Sequence, residues 1–222
     1  MSIYDQGIYN ANFEEFLNKT KKMKLRTKEN NKRREGPIIK YSEVDFWNRN
    51  EYPWENYDQE IYQTSNIETF KTNSIMDDSL LKNQYNIGIN LLGGFRDNIY
   101  KTSEVFDTDK LAKFMVVSEL LGAHHGLRWH NQRYYINPIT KKLEPIGFDG
   151  TPGKRINSLL MHTGVHYRTN TENFFLDNDF LKSYLKSLYR ISQKSYIDSF
   201  FVKYGNEMER VNAILKNEFL YA

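Results

Sequence analysis

Residues 124–150 read HHGLRWHNQRYYINPITKKLEPIGFDG, and this stretch decides the fold that the sequence predicts. Residues 133–136 are aromatic and β-branched, as strands commonly are. A turn is expected at Asn137, because the proline that follows biases it away from helix. Residues 143–148 predict the returning strand, in which Pro145 is acceptable only at a sheet edge or a bulge. The stretch is therefore expected to form a β-hairpin.

The register of this hairpin predicts a meeting of two oxygen-bearing side chains. If the hairpin is centred on Thr140, residues whose numbers sum to 280 face each other, and Asn131 and Asp149 do so. Magnesium prefers amide and carboxylate oxygens and bridges them to phosphates. The sequence therefore predicts a divalent-metal and phosphate site at Asn131 and Asp149. The alternative is an Asp149 that only makes a turn hydrogen bond.

The composition limits the classes of protein to which the chain can belong. The chain has 222 residues, 39% of them hydrophobic and 15% aromatic, which is typical of a folded domain. A net charge of +3, from 31 basic and 28 acidic residues, does not itself indicate nucleic-acid binding. The absence of cysteine excludes disulfides and thiolate metal sites. No apolar run reaches the roughly 18 residues of a membrane helix, and the first residues do not resemble a signal peptide.

Apolar periodicity predicts helices at residues 11–24, 42–47, 77–92, 107–121, 179–193 and 195–203, and residues 48–66 are expected to be an irregular loop. Gly93 and Gly94 are expected to end the third of these helices. The predicted core residues are Leu80, Leu81, Tyr85, Ile87, Leu111, Phe114, Met115, Val117, Leu121, Leu181, Tyr184, Leu185, Leu188, Ile197, Phe200 and Phe201.

All five histidines lie between residues 124 and 166, but their spacing matches no tight zinc motif. His124 and His125 could bind the last carbonyls of the preceding helix or contribute to a site, and both interpretations stay open. His130 is the histidine most expected to touch a ligand. His162 and His166 lie four residues apart and are expected to be structural.

Three segments resemble the CotH kinase family, the spore-coat protein H-like atypical protein kinases. They are residues 7–15, residues 33–40 and, most specifically, residues 107–151. The resemblance implies an α+β, protein-kinase-like fold, mainly the helical large lobe with a β-hairpin that carries the metal site. It implies a remnant of the small lobe at residues 1–45 and a large lobe at 46–222, with the catalytic-type hairpin at 131–149.

The same resemblance assigns roles to individual residues. Asn131 and Asp149 would hold Mg2+ (or Mn2+) for ATP. The family's catalytic aspartate is expected at the position of Gly126, so His125 or His130 would have to accept the substrate proton.

Three basic residues are the expected phosphate and substrate contacts: Arg128, Lys154 and Arg155. The glycine-rich loop and the ATP-contacting lysine of a kinase are expected upstream of residue 1. The chain is therefore interpreted as a fragment, for which a secreted or cell-surface location stays open.

The function that the resemblance implies is phosphate transfer from Mg-ATP to a protein hydroxyl, in the complete protein. ATP and a protein substrate are then the expected partners, without nucleic acid or a membrane segment. Gly126 favours the alternative of a catalytically inactive, CotH-like structural or surface-binding module. A second alternative is a metal- or carbohydrate-binding protein that uses Trp47, Trp54 and Tyr57.

Overall fold

The structure is a computed structural model that describes residues 36–48, 54–153 and 168–218. It is a mixed α+β fold, mostly helical, with one four-stranded antiparallel sheet among the described residues. In chain order the strands are β1 (Ile38–Tyr41), β2 (Ile67–Thr69), β3 (Arg133–Ile136) and β4 (Leu143–Ile146). The helices are α1 (Val44–Asn48), α2 (Trp54–Thr64), α3 (Thr72–Met76), α4 (Ser79–Arg96), α5 (Thr102–Val105), α6 (Thr108–Leu120), α7 (Arg168–Phe175), α8 (Asn178–Ser192) and α9 (Lys194–Glu218).

The chain divides into two compact units, one comprising residues 1–100 and 132–146, the other comprising residues 101–131 and 147–222. Strands from distant parts of the sequence share one sheet in the first unit, since β1 pairs with both β2 and β3. The predicted hairpin therefore belongs to the first unit, and the residues on either side of it belong to the second.

The sheet of the first unit has the strand order β2-β1-β3-β4 and carries an aromatic core. Ile39, Tyr41 and Tyr134 are buried on its strands, and Tyr62 of α2 meets Tyr41 edge-to-face with 5.0 Å between ring centres. Burial raises the pKa of the Tyr41 and Tyr134 hydroxyls well above their ordinary value, so both stay protonated inside the core. The buried tyrosines of the sheet are therefore neutral core residues.

The predicted strands are confirmed at β3 and β4, and β4 is an edge strand, as Pro145 requires. The predicted register is wrong by one residue. Tyr134 pairs with Pro145, so opposed residue numbers sum to 279 rather than 280. The turn sets this register, because Asn137 N–H bonds to the Lys142 carbonyl at 3.0 Å and Lys141 takes a left-handed φ of 58°.

Helices α6 and α8 pack against each other in the core of the second unit. The aspartates Asp107 and Asp177 cap their N-termini, accepting from backbone N–H groups at 3.1 and 2.8 Å. Leu111 and Met115 of α6 are buried, as predicted, and so is Tyr184 of α8. The predicted helices at 107–121 and 179–193 are confirmed to within a residue or two.

A buried carboxylate joins these two helices. The Tyr184 hydroxyl donates a short hydrogen bond to Oε2 of Glu119, and both residues are inaccessible to solvent or nearly so. Burial, followed by the neighbouring Glu119 carboxylate, raises the pKa of Tyr184 far above its ordinary value. Removing the Tyr184 hydroxyl would therefore be costly, because the buried Glu119 carboxylate would lose this hydrogen-bond donor.

Two sequence predictions for helices of the first unit are wrong. The predicted loop at 48–66 contains α2, in which Ile61 and Tyr62 are buried, so tertiary packing outweighs a composition poor in helix formers. Gly94 does not end α4, which continues to Arg96. A side chain at Gly94 would fall on the Tyr100 ring, so this glycine serves close packing within the helix.

The predicted helix at 195–203 is only the first part of α9, which spans 25 residues. Its predicted core residues Ile197, Phe200 and Phe201 are exposed in the part of the chain that the structure describes. Exposure also corrects the core assignments of Leu80, Val117, Leu121 and Leu185, which point away from the packed faces of their helices. The predicted helix at 11–24 lies outside the described residues.

In the part of the chain that the structure describes, no helix combines the length and the apolar character needed to cross a bilayer.

Replacing Tyr184 by phenylalanine tests the buried bond. We expect Tyr184→Phe to lower the free energy of unfolding by about 1–3 kcal/mol, because Glu119 stays buried without its hydroxyl donor. The raised pKa of Tyr184 stabilises the fold below the unfolded value near pH 10, and this contribution is lost as the pH rises above it. The alkaline decline should therefore be smaller in the variant, as measured by urea unfolding from pH 8 to 11.

Tyr189→Phe on the same helix is the matched control, because Tyr189 is exposed. It should change the free energy of unfolding by no more than about 0.5 kcal/mol. Equal losses in the two variants would contradict a special role for the Glu119 bond.

Candidate functional site

The histidine-rich loop begins where α6 ends. Gly122 takes a left-handed φ of 60°, and the backbone N–H groups of Gly122 and Ala123 bond to the carbonyls of Glu119 and Ser118 at 2.9 and 2.7 Å. The end of α6 is thus satisfied by backbone groups, which is the role considered for His124 and His125. Two short 3-10 turns follow, His124–Leu127 and Trp129–Asn131. These turns contain His124, His125, His130 and Asn131 within eight residues.

The imidazole of His125 is the centre of the site. Its Nδ1 lies 2.9 Å from the Asp149 carbonyl oxygen and 3.2 Å from Oδ2 of the Asp149 carboxylate. The same Nδ1 lies 3.1 Å from Nδ2 of Asn131. Asn131 and Asp149 therefore both contact His125. The sequence named all three residues as candidates, but it predicted that Asn131 and Asp149 face each other across a hairpin, not that both contact His125.

The two Asp149 oxygens determine which His125 nitrogen carries a proton. Both are acceptors, so Nδ1 bears hydrogen in the tautomer that bonds to Asp149, and in that tautomer the neighbouring Asn131 Nδ2 makes no hydrogen bond to Nδ1. The Asn131 amide group meanwhile donates from Nδ2 to the His125 carbonyl at 3.0 Å. In the neutral imidazole the lone pair is then on Nε2, and this nitrogen can accept a proton from another molecule.

Asn131 is buried and held through both its backbone and its side chain. Its backbone N–H bonds to the Arg128 carbonyl at 2.9 Å, while Nδ2 donates to the His125 carbonyl at 3.0 Å and lies 3.1 Å from His125 Nδ1. Its carbonyl oxygen Oδ1 takes part in neither contact, and it is the atom that a hard cation prefers. Asn131 is therefore oriented by its amide nitrogen.

Gly126 has no room for a side chain. A Cβ built on it would lie 2.6 Å from the Phe148 carbonyl oxygen and 3.1 Å from the Gly150 Cα. Both neighbours are backbone atoms, which cannot rotate away as a side chain can. This close approach brings the histidine loop against the segment that contains Asp149. It also means that the aspartate expected at position 126 in the family's pattern does not fit this backbone.

Asp149 is held in an unfavourable backbone conformation. Its φ is 45°, and that of Thr151 is 44°, in the left-handed region that side chains with a Cβ rarely adopt. Such conformations cost on the order of 1–3 kcal/mol and persist only where the surroundings enforce them. The Asp149 carboxylate is 16% exposed and the His125 side chain 30% exposed, so both remain accessible to a small ligand.

The other predicted site residues are less accessible or fall outside the described range. His130 is 2% exposed, with its ring edge-on to Trp129. Arg128 is half-buried in the same loop. Lys154, Arg155, His162 and His166 lie outside the described residues. Of the predicted aromatic binding residues, Trp47 is exposed and donates to Glu43 at 3.1 Å.

The donor atoms fit a magnesium ion only in part. No group of three or more His, Cys, Asp or Glu side chains within residues 36–48, 54–153 and 168–218 is placed to hold a metal. One carboxylate and one amide oxygen would leave most positions to water and phosphate, which is the usual arrangement for magnesium at nucleotide sites. Asp149 has a second oxygen, Oδ1, to offer while Oδ2 faces His125. The residues are thus suited to a cation that arrives with a phosphate ligand.

Comparison with known proteins finds no matching family model, no matching curated protein and no matching solved structure. The site must therefore be interpreted from its own geometry.

We expect Gly126→Ala to lower the free energy of unfolding by about 1–3 kcal/mol, because the added methyl group meets backbone atoms and forces them apart. Urea unfolding followed by circular dichroism measures the change. The matched control is Gly147→Ala, where the new Cβ would lie 3.7 Å from the Phe114 ring, an ordinary contact. If the two alanine variants were equally stable, the close approach at Gly126 would not be a constraint.

Proposed function

We propose that this protein is a CotH-like atypical kinase, which in its complete form transfers phosphate from Mg-ATP to a hydroxyl group of a protein substrate. The observation that carries the proposal is the contact of Asn131 and Asp149 with one imidazole, His125. An amide oxygen, a carboxylate and a proton-accepting nitrogen thus belong to one cluster. Phosphoryl transfer needs such positioning and charge neutralisation more than it needs a strong base.

Asp149 and Asn131 hold the cation in this proposal. The Asp149 oxygen Oδ1 and the Asn131 oxygen Oδ1 are the ligand atoms, since Oδ2 and Nδ2 of these residues face His125. When bound, magnesium would neutralise charge on the phosphates of ATP. The fixed amide of Asn131 and the enforced backbone of Asp149 orient these oxygens before any ligand arrives.

His125 accepts the substrate proton in this proposal. Its Nδ1–H is held by the two Asp149 oxygens, which leaves the Nε2 lone pair as the acceptor. The hydroxyl proton passes to Nε2 while the hydroxyl oxygen bonds to the γ-phosphorus, and the bond to the β–γ bridging oxygen breaks to release ADP. A carboxylate that fixes an imidazole by its Nδ1 is an arrangement used widely for general-base catalysis.

A second candidate function is nucleotide binding without transfer, in a CotH-like structural or surface-binding module. Gly126 favours it, because the backbone contact with Phe148 leaves no space for the aspartate that serves as the base in kinases. Under this candidate Asn131 and Asp149 still bind Mg-ATP, and His125 only orients Asp149. The two candidates therefore share a binding site and differ in turnover.

The binding step is tested by thermal unfolding with and without Mg-ATP. At 100 times its dissociation constant, a ligand that binds only the folded state adds about 2.7 kcal/mol to the free energy of unfolding. We expect this gain in the wild type with magnesium and its loss in Asp149→Asn, which removes the carboxylate charge. Each shift is measured against the same variant without ligand.

Asp179→Asn is the control, because Asp179 is an exposed acidic residue of the same unit. It should retain the full magnesium-dependent gain. No gain in the wild type, or an equal gain in Asp149→Asn, would contradict a nucleotide site at this cluster.

The transfer step is tested with γ-labelled ATP and mixed protein acceptors. We expect His125→Gln to reduce labelling at least about tenfold while the thermal gain from Mg-ATP stays, because the glutamine side chain does not accept the proton as an imidazole does. His124→Gln is the control one residue away. Thermal gain without labelling in the wild type would support the second candidate and reject the first.

A further inference from the structure

Helix α9 carries a continuous apolar seam that the other described residues leave largely exposed. Its residues at spacings of four, three, four, three and four are Ile197, Phe201, Tyr204, Met208, Val211 and Leu215. All six are between 40% and 54% exposed. These spacings are the a and d positions of a heptad repeat, with Phe201, Met208 and Leu215 at a and the others at d.

The 3.5-residue period of the seam is the period of a contact between two helices. Apolar residues at a and d positions, with Phe200 and Ile214 beside them, form the kind of face that helix pairs and helical bundles bury. An apolar groove runs along this face, lined by Phe200, Tyr204, Met208 and Val211 among others. The seam spans 19 residues from Ile197 to Leu215, about 28 Å at 1.5 Å per residue. The seam is therefore long enough to take a helix of comparable length.

The seam is complementary to itself when reversed. In an antiparallel pair of α9 helices, residues whose numbers sum to 412 can face each other. Three different pairs then form, each between an a and a d position: Ile197 with Leu215, Phe201 with Val211, and Tyr204 with Met208. Each large aromatic residue meets a smaller or more flexible partner, and methionine sulfur packs well against an aromatic ring. A parallel pair would instead stack Phe201 on Phe201 and Tyr204 on Tyr204.

The charges of α9 also fit a reversed copy. The helix carries four basic and four acidic residues, so two copies do not repel each other through net charge. The basic residues are Lys194, Lys203, Arg210 and Lys216, and the acidic residues are Asp198, Glu207, Glu209 and Glu218. Its first half has one more basic residue, and its second half one more acidic residue. Reversal places opposite halves together and aligns the helix dipoles favourably.

The flanking positions are compatible with this arrangement. Phe200 and Ile214 lie at g positions that face each other across a reversed pair, which widens the apolar contact. Glu207 would meet its own copy near the twofold axis. Its charge is already matched by Arg210, whose guanidinium makes bonds of 2.7 and 2.8 Å to the two carboxylate oxygens.

From this geometry we infer that α9 pairs with α9 of a second copy of the chain, as an antiparallel two-helix coiled coil. The contact is independent of the nucleotide site, because the seam residues and the His125 cluster are different parts of the sequence. It assigns a use to the three predicted core residues that the fold leaves exposed.

The experiment is sedimentation equilibrium of the full chain over a range of concentrations, with two matched variants. The wild type should reach twice the mass of one chain. Val211→Glu should raise the dissociation constant at least about tenfold, because it places a charge in the seam of each copy. Val202→Glu is the same exchange on the opposite face of α9, where Val202 is 89% exposed, and should change the constant less than about twofold.

A wild type that stays monomeric would overturn the inference, as would a dimer that Val211→Glu leaves intact or that Val202→Glu disrupts equally. Circular dichroism of both variants establishes that α9 remains helical in each. Orientation has its own test, because the chain contains no cysteine of its own. Mixed Ile197→Cys and Leu215→Cys proteins should form a disulfide with each other if the helices are antiparallel, whereas self-linked products would indicate a parallel pair.

Discussion

The backbone contact at Gly126 is the constraint on which the candidate site depends. Only a residue without a Cβ can lie this close to the Phe148 carbonyl oxygen. That contact sets the separation between the loop and the Asp149 segment. With it in place, the His125 ring reaches the Asp149 carbonyl and carboxylate together. The position where the family's pattern would place an aspartate is thus the position that brings the histidine loop against Asp149.

In the second unit, a pair of packed helices supports a loop with unfavourable backbone angles. Helices α6 and α8 are held together by an apolar interface and by the buried bond between Glu119 and Tyr184, and aspartates cap their N-termini. The loop after residue 147 supplies the unfavourable backbone angles at Asp149 and Thr151. Strain of that kind is sustained only by stable surroundings. The well-packed helices therefore make the loop geometry possible.

Local signals explain which parts of the fold could be predicted from the sequence. The turn at Asn137 and the helices at 107–121 and 179–193 depend on neighbouring residues, and the structure confirms them. The strand register was missed by one residue, because the left-handed Lys141 changes the length of the turn without leaving a sequence signal. Helix α2 was missed because burial of Ile61 and Tyr62 depends on the tertiary fold. For the site, residue chemistry identified Asn131 and Asp149, but the imidazole that contacts both follows from packing at Gly126.

The positive φ of Asp149 has a consequence for any effort to stabilise this protein. Glycine is the residue that best tolerates that backbone angle, so Asp149→Gly relieves strain that the native chain retains. A selection based on heat resistance alone would therefore favour loss of the carboxylate. Retaining the less stable residue is the pattern expected where activity and stability compete for one position. Thermostable descendants of this sequence would be expected to keep the fold and lose the cluster.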